Sequence, residues 1–176
     1  MVSRSNTPIK VTLSTQEMML AAYTGVRRTV LSRAKGSKPA YGLSGLEVWG
    51  VDAEGAGGEM AAAKALNLYW DGAVNTYSRG DVGELQIRTS SSHDYKLIVR
   101  EADSDTDCFV LVTGMMPEYV IHGWILGKAA KQERWKRAPN NRPPAYFVPQ
   151  SELLSLDTLE IKKSFDRTLA QKSQAG

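Results

Sequence analysis

Asp81, Gln86 and Arg88 fall within one short stretch, Gly80-Asp81-Val82-Gly83-Glu84-Leu85-Gln86-Ile87-Arg88-Thr89. They bring together an acid, an amide oxygen and a permanent cation. Carboxylate and amide oxygens suit a hard divalent ion, and an arginine fork suits a phosphate. The elements needed to position them are a strand, a turn and a second strand. Leu85 and Ile87 alternate with Gln86 and Arg88, so the outgoing strand turns Gln86 and Arg88 to one face. Gly80 and Gly83 predict the turn, and Val74-Asn75-Thr76-Tyr77 predicts the incoming strand. Asp81 enters from the turn side. On spacing alone, the stretch reads as an ordinary hairpin with Gly-Asp at its bend.

Upstream, an alanine-rich helix is predicted from about Gly57 to Tyr69, with Met60, Ala63 and Leu66 inward and Glu59 in its first turn. An acid there complements the helix dipole without any ligand.

Asp81, four residues, Gln86, one residue, then Arg88 resembles the signature of the PD-(D/E)XK nuclease superfamily. Glu59 stands where a helix carboxylate often joins that set, and Gly123-Trp124-Ile125 resembles a strand of small phage-borne members of unknown function. The resemblance spans roughly Gly57 to Gly127. It implies an α/β, restriction-endonuclease-like fold, a single domain with a mixed central β-sheet flanked by helices. It also implies Mg2+ (or Mn2+) held by Glu59, Asp81 and Gln86, with Arg88 completing the catalytic set, and hydrolysis of DNA phosphodiester bonds. A divalent ion there would activate water and relieve charge in the transition state. The chain departs from the pattern twice. Gln86 stands where an acid is usual and is a weaker, neutral ligand. Arg88 stands where lysine is usual; with a pKa above about 12 it is no general base, although it can orient water or neutralise phosphate. Both departures favour the alternative, a catalytically inactive nuclease-like DNA- or protein-binding module. A structural protein of a virion is a third reading.

The chain of 176 residues suits one domain, 1–176, with loose ends at about 1–8 and 170–176. Its 42% hydrophobic and 23% charged residues are ordinary for a globular protein. No apolar run reaches the roughly 18 residues of a membrane span. A single cysteine, Cys108, excludes an internal disulfide and fits a reducing cytoplasm, that of the host if the chain is phage-encoded. With only His93 and His122 beside it, no zinc-type ligand set exists. The net charge of +3 permits a DNA partner without demanding one. Oligomeric state is not fixed by the sequence; a homodimer is allowed.

Ile9 to Leu13 alternates as a short edge strand. Ser14 or Thr15 then caps a helix running to about Ala34, with Met18, Ala21, Ala22, Val26, Val30 and Leu31 as its apolar stripe. The glycine-rich residues 36–58 read as a loop with one short element. Strands are predicted at Tyr95–Arg100, Cys108–Thr113 (a near-continuous apolar run, hence covered on both faces) and Tyr119–Ile125. His122 reads as a structural residue, and the acidic run Asp103, Asp105, Asp107 as a solvated turn. From Gly127 a basic helix is predicted, in which Lys128, Lys131, Arg134 and Arg137, with Trp135 among them, would track a nucleic-acid backbone. Tyr146 to Val148 adds an edge strand.

Overall fold

The structure is a computed structural model that describes residues 7–36, 47–72, 80–139 and 142–160. The incoming strand predicted at 74–77, the ends 1–6 and 170–176, and the last predicted anchors at 161 and 165 lie outside the described residues. The fold is mixed α/β. Strand β1 (Ile9–Thr12) leads into helix α1 (Thr15–Ala34), and helix α2 (Glu47–Leu66) follows. Then come β2 (Leu85–Ser90), β3 (Leu97–Arg100), β4 (Cys108–Met115) and β5 (Glu118–Leu126). A single helical turn, α3 (Gly127–Ala130), precedes β6 (Lys136–Arg137) and β7 (Ala145–Val148).

These strands form two sheets. The first has the order β1-β5-β4-β2, with β2 parallel to β4 and the other pairs antiparallel. The second, β3-β7-β6, is antiparallel. Strand β4 shows why they stack. Its side chains alternate, Val110 and Val112 into a core shared with α2, Phe109 and Leu111 into a second core shared with Leu97, Val99, Tyr146 and Val148. The predicted central strand is thus covered on both faces, by a helix and by a sheet. Helices were expected to flank the sheet. Instead β3 and β7 leave the first sheet and cover it, and β7 is the middle strand of its sheet and not an edge.

The layers follow: α1 on α2, α2 on the first sheet, the first sheet on the second. Helix α1 begins on Ser14, whose hydroxyl accepts from the Glu17 N–H while the Glu17 carboxylate accepts from the Ser14 N–H. Its inner face is small and polar: Ala21, Thr24, Gly25 and Thr29 are buried. The predicted stripe is corrected here, because Val26 and Val30 point outward.

Helix α2 starts at Glu47, ten residues before the predicted Gly57, and runs through four glycines. A glycine inside a helix costs about 0.5–1 kcal/mol relative to alanine. Two of the four are explained by contact. Gly57 lies under the Tyr119 hydroxyl, and Gly58 under Thr89 of β2, where a Cβ would collide. The loop predicted up to residue 58 is therefore largely helix from Glu47 onward. Loss of side chains lets α2 lie close on the sheet, and Tyr119 then donates to Glu54 Oε2 at 2.7 Å.

Candidate functional site: a buried glutamate held by an arginine fork

Glu59 sits in the middle of α2, not in a first turn, and is buried. Its position lets it meet Arg28 of α1, whose guanidinium grips it as a fork, Nη1 to Oε1 at 2.6 Å and Nη2 to Oε2 at 2.7 Å. The Trp70 indole N–H adds a third donor to Oε2 at 3.1 Å. Burial pushes the Glu59 carboxyl up, and the Arg28 fork opposes that shift. Beside the pair, the Thr29 hydroxyl donates to Asp52 at 2.5 Å.

Asp81 follows from a tight turn in which Val82 and Leu85 bridge. Its carboxylate accepts from the Ile87 N–H at 2.7 Å, which fixes the start of β2. Desolvation raises its pKa, against the pull of that N–H and of Arg88 and Arg28. Asp81 and Glu59 are near enough for each to feel Arg28, and Glu59 feels Asp81 as a like charge. Both carboxylates lie within reach of the Arg28 charge, and Glu59 is the one that its guanidinium grips.

Gln86 and Arg88 share a face, as the alternation predicts, but it is the wrong face for that cluster. Leu85 and Ile87 join the core under α2, and Thr89 touches Gly58. The intervening Gln86 and Arg88 therefore turn toward the second sheet. Arg88 stacks over Phe109 at 4.9 Å and pairs with Asp103 at 3.1 Å. Asp103 also accepts from the Arg100 N–H at 2.8 Å, so the acidic turn is a structural latch and not simply a solvated loop.

As arranged, these residues do not fit Mg2+ or Mn2+. An octahedral ion needs oxygens aimed at one point. Both Glu59 oxygens are held by a cation that the ion would have to displace, and Gln86 is on the opposite face. Among the described residues, no group of three or more His, Cys, Asp or Glu is gathered for a metal.

The predicted basic helix is replaced by one helical turn, a 3-10 turn at Glu133–Trp135 and the short strand β6. The reason is in the contacts. Lys131 donates to the carbonyls of Glu101 (3.1 Å) and Asp103 (2.6 Å) and to Asp105 (2.7 Å). Arg134 pairs with Glu152 at 3.2 Å and lies 4.3 Å over Trp135, which is buried. Lys136 lies between Glu101 and Glu133. Arg137 donates to the Lys136 carbonyl at 2.6 Å, and Lys128 is exposed. Much of the basic segment is matched by this chain's own acids.

One polar group was not assembled from the sequence. The two histidines meet at Thr113, whose hydroxyl is 2.7 Å from His122 Nε2 and 3.1 Å from His93 Nδ1. The bulge in β5, where Leu111 faces Gly123 and Val112 faces Ile121, leaves His122 as the extra residue beside Thr113. Burial holds the His122 pKa below its ordinary 6.5, with His93 adding to the effect. The unfolded chain therefore takes up this proton first as pH falls. Stability present above about pH 6.5 should be lost as pH drops through the lowered native pKa. Urea midpoints from about pH 7.5 to 5.5 should decline for the native sequence and decline less for His122→Gln. Identical declines would remove His122 as the cause.

Comparison with family models, with curated proteins and with solved structures found no match. Among the described residues, no helix is long and apolar enough to cross a membrane.

Proposed function

We propose that this chain is a binding module that works through the outer face of α1, and that it does not hydrolyse phosphodiester bonds. The observation that carries the reading is a row of large apolar side chains left outside on that helix. Met19 is 68% exposed, Tyr23 65%, Leu20 51%, Val30 49% and Val26 43%. Scattered exposed apolar residues are normal, but a contiguous patch marks an interaction surface. Protein is the favoured partner over DNA, because Lys131, Arg134 and Lys136 already have acidic partners. An origin in a restriction-endonuclease-like fold is compatible with this reading, since Gln86 and Arg88 stand where an acid and a lysine would be needed.

The metal-dependent nuclease reading keeps one observation in its favour, the approach of Glu59 and Asp81. One experiment separates the two. Linear and supercoiled DNA are incubated with the protein and Mg2+ or Mn2+, beside Asp81→Ala, and DNA binding is followed by anisotropy at moderate salt. No cutting, and weak binding that salt abolishes, is the expected outcome. Cutting that disappears in Asp81→Ala would restore the nuclease and end the present reading.

A further inference from the structure

We infer that a trough beside His93, separate from the α1 face, is a binding site for a small zwitterion of the α-amino-acid class. The trough lies where the second sheet stops. That sheet packs on Phe109 and Leu111 at the start of β4, and beyond them the face turns polar. Register lays out its floor. Lys10 pairs with Val120, Val120 with Thr113, and Thr113 with Ser90. Val11, Tyr119 and Val112 point into the core under α2, so Lys10, Val120 and Thr113, each one residue along, point the other way. The next row, Thr12, Glu118 and Met115, shares that face. The concavity measures about 520 Å3, within the range of small-molecule pockets.

Its wall is held in place. The turn after β2 carries Ser91 and His93 over the end of β4, where His93 Nδ1 lies 3.1 Å from Thr113 Oγ1. The Gln150 amide donates to the carbonyls of His93 at 2.6 Å and Tyr95 at 3.0 Å, pinning the same turn from beyond β7. With Nδ1 engaged, His93 Nε2 has no partner among the described residues. Neither do Lys10 Nζ, the Glu118 carboxylate and Ser91 Oγ. Lys64, Lys131, Arg134 and Lys136, by contrast, are all paired with acids. Polar groups without partners, collected around one preformed concavity, set this place apart.

Charge selects the ligand. Lys10 and Glu118 are diagonal neighbours across β1 and β5, so their Cα atoms are about 7–8 Å apart. Their charges cancel, and the trough offers no net attraction to a simple anion or a simple cation. A molecule carrying a carboxylate and an ammonium on one carbon satisfies both residues at once. Its carboxylate meets Lys10, its ammonium meets Glu118, and both contacts are charge-assisted. Ser91 and His93, across Val120 from Lys10, offer further hydrogen bonds. The ligand's side chain rests on Val120 and the exposed Met115.

The test uses the full chain, labelled with 15N and followed by amide NMR near neutral pH. Glycine, leucine, phenylalanine and glutamate are titrated separately, beside acetate and butylammonium at matched ionic strength. At least one amino acid should shift the amides of Ser91, His93, Gly114 and Val120 saturably, with a dissociation constant below about 1 mM. Acetate and butylammonium, each able to use only one of the two charges, should bind about tenfold more weakly or worse. Lys10→Met and Glu118→Gln, both at exposed positions, should each weaken amino-acid binding by about tenfold or more and leave the urea midpoint unchanged. No saturable shift with any of these amino acids would overturn the inference. Acetate or butylammonium binding as tightly as the best amino acid would overturn it on the native sequence alone. Amino-acid binding that survives in both variants would overturn it equally. None of these results touches the binding-module reading of α1, which fails to metal-dependent cutting lost in Asp81→Ala.

Discussion

Replacing Glu59 by glutamine is expected to destabilise the protein by about 3–5 kcal/mol, because it strands the half-buried Arg28 guanidinium without a counter-charge. With a urea slope of about 2 kcal/mol per molar, the midpoint should fall by about 2 M. Arg28→Met should cost a similar amount by stranding Glu59. The double variant should recover part of the loss, since neither residue is then left as an uncompensated charge. That non-additivity is the signature of a structural ion pair. A metal ligand behaves in the opposite way. Carboxylates gathered for a cation repel one another while it is absent, so neutralising one leaves the apoprotein as stable or more so. Glu59→Gln therefore separates the two roles by the sign of a stability change, with no activity assay needed.

The second large effect is at the crossing of α1 and α2. A Cβ on Gly25 would lie 2.5 Å from the Ala53 nitrogen and 2.7 Å from the Asp52 carbonyl carbon. Both are backbone atoms, and no rotamer change relieves the clash. Gly25→Ala should force the helices apart, loosening Thr29 from Asp52 and Arg28 from Glu59, at a cost of about 3 kcal/mol. Gly50→Ala is the matched control. Nothing lies within 4 Å of its Cβ position, so the higher helix propensity of alanine should stabilise by about 0.5–1 kcal/mol. The same substitution is thus expected to change sign between two helices that touch. Equal effects at both sites would mean that α1 and α2 do not cross at Gly25.

What the sequence reveals and what it hides divide along one physical line. Local signals were legible. Ser14 and Glu17 mark the start of α1, and the apolar run at Cys108 marks a strand buried on both faces. The alternation of Leu85 to Arg88 correctly pairs Gln86 with Arg88 on one face. Long-range compensation was not legible. Glycines read as a loop because the contacts that offset them, Tyr119 on Gly57 and Thr89 on Gly58, come from distant strands. The basic segment read as a helix because its acidic partners at 101, 105 and 152 are remote in sequence. Glu59 was expected to hold a metal ion, but Arg28, 31 residues before it, gave no sign that its guanidinium would occupy that carboxylate. Val26 and Val30 of α1 were assigned to the core because periodicity cannot tell an inner seam from an outer one.

Whether the carboxylates are committed to Arg28 is most directly measured by a metal titration of stability. A site with a dissociation constant near 0.1 mM would add about 2.7 kcal/mol at about 10 mM Mn2+. The predicted result is a urea midpoint in about 10 mM Mn2+ or Mg2+ that equals the midpoint without divalent ion at matched ionic strength, for the native sequence and for Asp81→Ala alike. A metal-dependent rise in the native protein that vanishes in Asp81→Ala would contradict the account.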